Sequence, residues 1–332
     1  MPNYQGVWSL STQFQNASGW PSPPVENAAV LLGGYFTGFV ATDNIGYVSL
    51  ITATSSESSF GTLSSSNYRS SGAFANGTRA FVAGGRNSGG LLNTIEFVTF
   101  AAGGSATDFG DRTVSGQNIG ACNSDTRGVM GYADYGSGAS AKTIDYVTMA
   151  SAGNATDFGD FTANPSGSNN LACSSPTRGL WSYHSTSGSV TEIDYITIAS
   201  AGNASSFGDL ANTNSSSAAA FSSNTRGIIV SGGINVNSSN AATNTMEYVT
   251  IASTGNATDF GDLSYAGGWW PQGTSNKIKG VTMGGRDLSN STEYANMDVV
   301  TIATTGNGTD FGDMAQIRYT GGCAGGRNGG LS

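Results

Sequence analysis

The stretch Thr143–Asp160 reads TIDYVTMASAGNATDFGD, and parts of it recur along the whole chain. Its end, ATDFGD, returns as Ala106–Asp111 and as Ala257–Asp262, with shorter copies elsewhere. The phenylalanines of the six copies are separated by 49, 49, 49, 53 and 51 residues, and they are Phe60, Phe109, Phe158, Phe207, Phe260 and Phe311. A motif repeated at a nearly constant period indicates a repeat architecture rather than a single catalytic motif.

Each repeat contains four short segments rich in β-branched and aromatic residues, bounded by Gly, Asn, Ser or Pro. In the third repeat they are NIGACNS (Asn118–Ser124), TRGVMGYA (Thr126–Ala133), TIDYVTMA (Thr143–Ala150) and ATDFGDFT (Ala155–Thr162). Four short strands in a period near fifty residues are typical of a β-propeller blade. A β-solenoid is the alternative, but its coils are usually about half this length or less.

The ends of the chain predict how the ring closes. With the strands lettered a to d from the axis outward, the first repeat begins at strand b, NAAVLLGG (Asn27–Gly34). The last segment, Tyr319–Gly326, matches a strand a with no strand b after it. We therefore predict an all-β fold, a six-bladed propeller over residues 27–332, in which Tyr319–Gly326 pairs with Ala28–Leu32. Residues 1–26 form a leader and a proline-rich spacer.

Composition excludes some classes of function. The 332 residues carry a net charge of −9, which disfavours nucleic-acid binding. No apolar run reaches membrane-spanning length, and the N-terminus lacks the features of a signal peptide, so we expect synthesis in a cytoplasm and no membrane insertion. Three cysteines, Cys122, Cys173 and Cys323, match positions held elsewhere by phenylalanine, which favours core thiols over a disulfide or a metal site.

Acids and bases recur in register with the repeat. Strand c carries an acid, and strand b opens with a base, although Lys277 in the sixth repeat aligns less cleanly. The first repeat lacks both, with Gly46 and Ala28 at these places. Because a buried carboxylate needs a partner, we predict structural ion pairs within each blade. The predicted pairs are Arg79–Glu96, Arg127–Asp145, Arg178–Asp194 and Arg226–Glu247.

The sequence lacks most of the residues that the enzymatic alternatives require. The Asp-Phe-Gly tripeptide occurs in protein kinases, but a catalytic aspartate is needed once and the kinase lysine and HRD motifs are absent. A copper oxidase needs more than the one histidine, His184. A glycosidase needs two convergent carboxylates. Calcium binding by Asp157 and Asp160 is an open alternative. We predict no catalytic residue, no cofactor and no metal.

Two resemblances add to this interpretation. The segment Ala83–Thr113, AGGRNSGGLLNTIEFVTFAAGGSATDFGDRT, resembles a kelch repeat, with Phe109 where kelch usually has Trp. The segment Thr143–Asp160, TIDYVTMASAGNATDFGD, is similar to repeats in virion proteins of tailed bacteriophages, especially those of marine cyanobacteria. The opening Gly6–Pro21, GVWSLSTQFQNASGWP, looks like the leader of many phage structural proteins.

The phage resemblance implies a virion protein, often a tail or fibre accessory, with no catalytic residues carried over. We expect the leader to contact other virion proteins, through Trp8, Phe14 and Trp20; the alternative is a cap on the ring itself. A carbohydrate-binding propeller that recognises a host glycan is a second hypothesis, and a propeller enzyme is the third. Aromatic and histidine side chains in the loops between strands b and c are the candidate ligand contacts: Tyr35, Phe36, Tyr132, Tyr135, Tyr183 and His184.

Overall fold

Six small antiparallel sheets form a ring, as predicted for a six-bladed β-propeller. This computed structural model describes residues 28–36, 40–50, 57–64, 71–133, 142–185, 192–211, 214–216, 219–230, 233–236, 239–266, 270–287, 292–319 and 321–325. Within these ranges every regular element is a β-strand. The solenoid alternative is therefore wrong, because each repeat forms its own sheet instead of extending a shared one.

Each blade has the strand order a, b, c, d. Blade 1 consists of Gly322–Gly325, Ala28–Leu32, Asn44–Ser49 and Ser58–Thr62. Blade 2 consists of Gly72–Ala75, Arg79–Asn87, Gly90–Thr99 and Thr107–Asp111. Blade 3 consists of Gln117–Asn123, Arg127–Ala133, Thr143–Thr148 and Thr156–Asp160.

The second half of the ring repeats this order. Blade 4 consists of Pro165–Ser174, Arg178–Ser185, Glu192–Thr197 and Ser205–Asp209. Blade 5 consists of Ala219–Ser222, Arg226–Val230, Thr245–Thr250 and Thr258–Asp262. Blade 6 consists of Gln272–Ser275, Lys279–Met283, Asn296–Thr301 and Thr309–Asp313. Short additional strands are Tyr35–Phe36, Val40–Ala41, Gly104–Ser105, Asn214–Ser216, Gly233–Val236, Ser239–Ala242, Arg286–Asp287, Thr292–Glu293 and Arg318–Tyr319.

The C-terminal strand completes blade 1, which confirms the predicted closure. Gly322–Gly325 pairs with the first strand in an antiparallel register that places Gly322 opposite Leu32 and Gly325 opposite Ala29. The strand is shorter than predicted, because Tyr319 pairs with Tyr35 in a separate sheet. Because Gly322–Gly325 pairs with Ala28–Leu32, the inner edge of Ala28–Leu32 is not left exposed.

The hydrophobic core lies between the blades. The described residues form six buried apolar clusters, and each cluster joins two neighbouring blades. In blade 3, Ile144 packs in the cluster shared with blade 4, whereas Val147 and Met149 pack in the cluster shared with blade 2. This confirms that strand c is covered on both faces. The ring is thus stabilised mainly by blade-to-blade burial of apolar surface.

The repeated DFGD motif forms the outer strand, and its glycine is needed for the next blade to approach. Gly159 has φ +145°, and a Cβ there would lie 2.5 Å from the carbonyl oxygen of Gly202 in blade 4. The segment around Gly202 runs along the outer strand of blade 3, since Gly202 N donates to Phe158 O and Ala204 N donates to Asp160 O. Phe158 itself packs between blades 3 and 4, as predicted.

Two of the three cysteines occupy the predicted apolar position. Cys122 and Cys173 are buried between blades, and a Cβ on the strand-b glycine of the next blade, Gly179 or Gly227, would clash with their sulfur atoms. The match for Cys323 is wrong by one residue. Its neighbour Ala324 pairs with Val30, as Cys122 pairs with Val129, so Ala324 takes the equivalent place. All three thiols are free.

Antiparallel blades give the ring two different faces. We call the face with the a–b and c–d turns the turn face, and the face with the b–c loops and d–a linkers the loop face. The turn face is built from short repeated sequences such as NSDTR (Asn123–Arg127) and SSPTR (Ser174–Arg178). No helix long and apolar enough to cross a membrane occurs among the residues that the structure describes.

Candidate functional site

The predicted ion pairs within each blade are wrong. Arg127 stands opposite Thr148, whereas Asp145 stands opposite Met130, three residues further along strand b. At about 3.3 Å per residue this offset separates the two positions by roughly 10 Å. The same offset separates Arg79 from Glu96, Arg178 from Asp194 and Arg226 from Glu247. The charges lie on adjacent strands, but the base is at the turn face and the acid towards the loop face.

The strand-b arginines bind the next blade instead. The Arg127 guanidinium lies over the Tyr146 ring, 4.3 Å from its centre, and Nη1 donates to the Ile198 carbonyl of blade 4 at 2.8 Å. The same pair of contacts recurs in three other blades: Arg79 with Phe97 and Met149 O, Arg178 with Tyr195 and Ile251 O, and Arg226 with Tyr248 and Ile302 O. In blade 6 this position belongs to Lys279, opposite Thr301, so the alignment of Lys277 is also corrected.

The strand-c acids bind the segment that leaves strand d of the preceding blade. Asp145 Oδ1 accepts from Arg112 Nη2 at 2.8 Å, and its Oδ2 accepts from Thr113 N and Oγ1 at 3.0 Å each. Asp194 accepts from N and Oγ1 of Thr162 at 2.9 Å. The corresponding contacts are Ser64 to Glu96, Ala211 to Glu247 and Ser264 to Asp298. These acids therefore join blades, and the Arg112–Asp145 pair is fully buried.

Blade 1 makes the same contact with Glu57, the residue just before its outer strand Ser58–Thr62. A Cβ on Gly46 would lie 1.9 Å from Glu57 Oε1, so the Glu57 carboxylate occupies the space of the missing strand-c acid. Its partner is Arg318 Nη2 at 2.7 Å, from the linker that follows blade 6. Burial lowers the pKa of Arg318, and the Glu57 charge opposes that shift. Sequence reasoning missed this pair, although Glu57 stands just before the outer strand of the repeat that lacks its strand-c acid.

A chain of hydrogen bonds also joins the innermost strands. Ser174 Oγ donates to Asn123 O at 3.0 Å, Ser222 Oγ donates to Ser174 O at 2.7 Å, and Ser275 Oγ donates to Ser222 O at 2.7 Å. Asn123 Nδ2 continues the series to Ala75 O at 2.7 Å. Four successive blade interfaces are therefore linked near the axis as well as at the rim.

Of the predicted ligand contacts, the structure describes the side chains of Tyr183 and Phe36. Tyr183 is 3% exposed, and its hydroxyl donates to Asp194 Oδ2 at 2.7 Å, which is a core role. The pKa of Tyr183 is raised, and burial of its hydroxyl is the main cause. The Phe36 ring lies under the Arg318 guanidinium. Trp8, Phe14, Trp20 and Tyr135 lie outside the described residues, as do the side chains of Tyr35, Tyr132 and His184.

The described residues line a groove on the turn face. It lies between blades 3 and 4, has a volume of about 350 Å³ and is lined by Ser124, Asp125, Thr126, Arg127, Pro176 and Ala199. Two a–b turns, one c–d turn and the first residue of strand b thus meet there. The lining combines a guanidinium, a carboxylate and two hydroxyls with the apolar surfaces of a proline and an alanine, which suits a small polar ligand.

In the ranges that the structure describes, no group of three or more His, Cys, Asp or Glu side chains is placed to hold a metal ion. Asp157 and Asp160 are exposed on the outer strand. No protein-family model matches the chain, and a search of curated proteins finds no match.

Proposed function

We propose that this chain is a non-enzymatic structural protein of a bacteriophage particle, a propeller associated with the tail or fibre that serves assembly or host adsorption. The observation that supports it most is that the buried strand-c acids bind the preceding blade. The strand-c acids, which could have served as catalytic groups, instead hold neighbouring blades together at described interfaces. A ring fastened in this way is a rigid scaffold.

The sequence supports the particle assignment. The repeat and the opening Gly6–Pro21 resemble virion proteins of tailed bacteriophages, and the outer strands carry repeated exposed acids such as Asp157 and Asp310. In the proposal, residues Val7–Trp20 contact another particle protein, and the loop face remains available for the host surface. Among the described residues, the ring closes through the pairing of Gly322–Gly325 with Ala28–Leu32, which follow the leader in the chain.

Particle composition tests this proposal. Purified phage particles should contain the full chain by mass spectrometry, and immunogold labelling should place it on the tail or fibres. A variant without Met1–Trp20 should fold with the wild-type melting temperature but should be absent from particles. Particles that lack the wild-type chain would contradict the virion role, and normal incorporation of the deletion variant would contradict docking by the leader.

A carbohydrate-binding propeller is the second candidate. The groove between blades 3 and 4 favours it, because the groove pairs charged hydrogen-bonding groups with apolar surface, as sugar recognition requires. The two candidates are compatible, since a particle protein can also bind a host glycan.

A further inference from the structure

The turn face carries four arginines that form no salt bridge with any carboxylate of the described residues. Arg79, Arg127, Arg178 and Arg226 are half-buried, and none of them forms a salt bridge in the described part of the chain. This is unexpected in a protein with a net charge of −9. Each guanidinium is held by an aromatic ring and a backbone carbonyl, so its orientation is fixed before any ligand arrives.

Arg127 is one of the residues that line the groove between blades 3 and 4. Its Nη1 donates a hydrogen bond to Ile198 O. Its remaining N–H groups have no acceptor among the described residues and are not buried. They belong to the groove of about 350 Å³. A planar guanidinium with free donors binds carboxylates in a two-pronged geometry.

The other side of the groove favours a ligand that also carries hydroxyl groups. Asp125 is exposed in the groove lining, and a carboxylate has several lone pairs that can accept hydrogen bonds from ligand hydroxyls. The Ser124 hydroxyl accepts from Thr126 N and Arg127 N, which leaves its own proton free to donate. Pro176 and Ala199 supply an apolar surface for the face of a sugar ring.

This combination occurs at one place among the described a–b turns. The residue that follows the first turn position is Gly77 in blade 2, Asp125 in blade 3, Pro176 in blade 4, Asn224 in blade 5 and Lys277 in blade 6. Only the junction of blades 3 and 4 therefore places an acid in one turn next to a proline in the next. The groove is a local specialisation of an otherwise repeated face.

We propose that the groove between blades 3 and 4 binds a uronic acid unit of an acidic polysaccharide. The sugar carboxylate lies against the free donors of Arg127, the hydroxyls contact Asp125 and Ser124, and one ring face packs on Pro176 and Ala199. A volume of about 350 Å³ accommodates a single hexuronic acid residue. The site lies on the turn face, opposite the loops where sequence reasoning expected ligand contacts.

Binding is measured with the isolated full chain, so that its outcome is separate from incorporation into particles. Sodium glucuronate, glucose and sodium sulfate are titrated separately at constant ionic strength and followed by NMR chemical-shift changes. We expect glucuronate to bind with a Kd of about 1 mM, and glucose and sulfate to bind at least about tenfold more weakly. Sulfate binding as tight as glucuronate binding would reduce the site to a general anion site and overturn the proposal.

Two variants locate the site. Ala199→Trp fills the groove at an exposed position without touching the contacts of Arg127, so it should abolish glucuronate binding at an unchanged melting temperature. Arg127→Lys should weaken binding about tenfold. Its matched control is Arg226→Lys, since Arg226 lies 4.2 Å from the Tyr248 ring centre and donates to Ile302 O at 3.0 Å, yet faces a different junction. Wild-type affinity in Ala199→Trp, or equal losses in the two lysine variants, would contradict the proposal.

Discussion

Arg318 Nη2 donates a hydrogen bond to Glu57 Oε1 at 2.7 Å across the junction of blades 6 and 1, where the repeat both begins and ends. Both side chains are at most 5% exposed. Arg318 Nη1 also donates to the Leu31 and Asn44 carbonyls of blade 1. The other junctions use an acid of strand c, whereas here Gly46 leaves the space that Glu57 fills. Closure of the ring therefore combines strand pairing with a buried ion pair.

Removal of Glu57 should strongly destabilise the fold. In Glu57→Ala the buried Arg318 guanidinium loses its carboxylate, so the free energy of unfolding should fall by about 3–5 kcal/mol, measured in urea. Glu293→Ala is the control, because the Arg286–Glu293 pair is longer, at 4.0 Å, and more exposed, and its loss should be smaller.

Restoring the acid from strand c is the sharper half of this test. The double variant Gly46→Asp with Glu57→Ala recreates the arrangement of the other blades, and it should recover about half of the lost stability. No recovery together with an unchanged stability of Glu57→Ala would show that the pair does not contribute to closure.

The C-terminal strand should be essential to the ring. A chain that ends at Ile317 lacks Arg318 and Gly322–Gly325, and it exposes the inner edge of Ala28–Leu32. We expect it to aggregate or to lose cooperative thermal unfolding, and a peptide of residues 318–332 should restore both properties. A soluble truncated chain with the wild-type melting temperature would contradict this closure.

Burial should make Cys122 and Cys173 unreactive in the folded protein, and it should slow the reaction of the half-buried Cys323. Burial raises the pKa of Cys173 and of Cys323 to about 12, with hydrogen bonding and charges as smaller causes for Cys323. Because the thiolate is the nucleophile, iodoacetamide at pH 8 should label these residues slowly until urea unfolds the chain. Mass spectrometry gives the extent of labelling. Labelling of the folded chain at the unfolded rate would contradict the burial.

The same pKa values predict a loss of stability in base. In the unfolded chain these thiols ionise near their ordinary pKa of 9.0, whereas in the folded chain they stay protonated up to about 12. Their contribution to stability is complete below pH 9 and is lost as pH rises towards 12. Replacement of Cys173 by Ala should flatten this part of the unfolding curve, measured by urea titration at each pH.

The fold could be predicted from the sequence because the repeat is visible in it. The spacing of residues such as Phe109 and Phe158 gave the blades, and the unmatched segments at the two ends gave the closure. The alternation of Ile144, Asp145 and Val147 gave a strand covered on both faces. Each of these inferences depends on local pattern, which the repeated sequence displays several times over.

The charge contacts could not be predicted in the same way. Repeats have both the strand-b base and the strand-c acid or lack both, which suggested that Arg127 binds Asp145. The strand register instead separates the two residues along their strands. Arg127 contacts blade 4, and Asp145 contacts blade 2. The Glu57 carboxylate fills the space beside Gly46 from a residue that precedes the outer strand, which an alignment of strand c alone cannot show. The groove beside Pro176 forms only where two turns from different blades meet.

The central claim is that the buried acids and the strand-b arginines join blades and do not pair with each other. Double-mutant cycles in urea test it most directly, with Asp145→Asn combined in turn with Arg112→Met and with Arg127→Met. We predict a coupling energy of about 2–3 kcal/mol for Arg112 and Asp145, whose atoms are 2.8 Å apart, and no more than about 0.5 kcal/mol for Arg127 and Asp145. A large coupling between Arg127 and Asp145, with none between Arg112 and Asp145, would contradict the account.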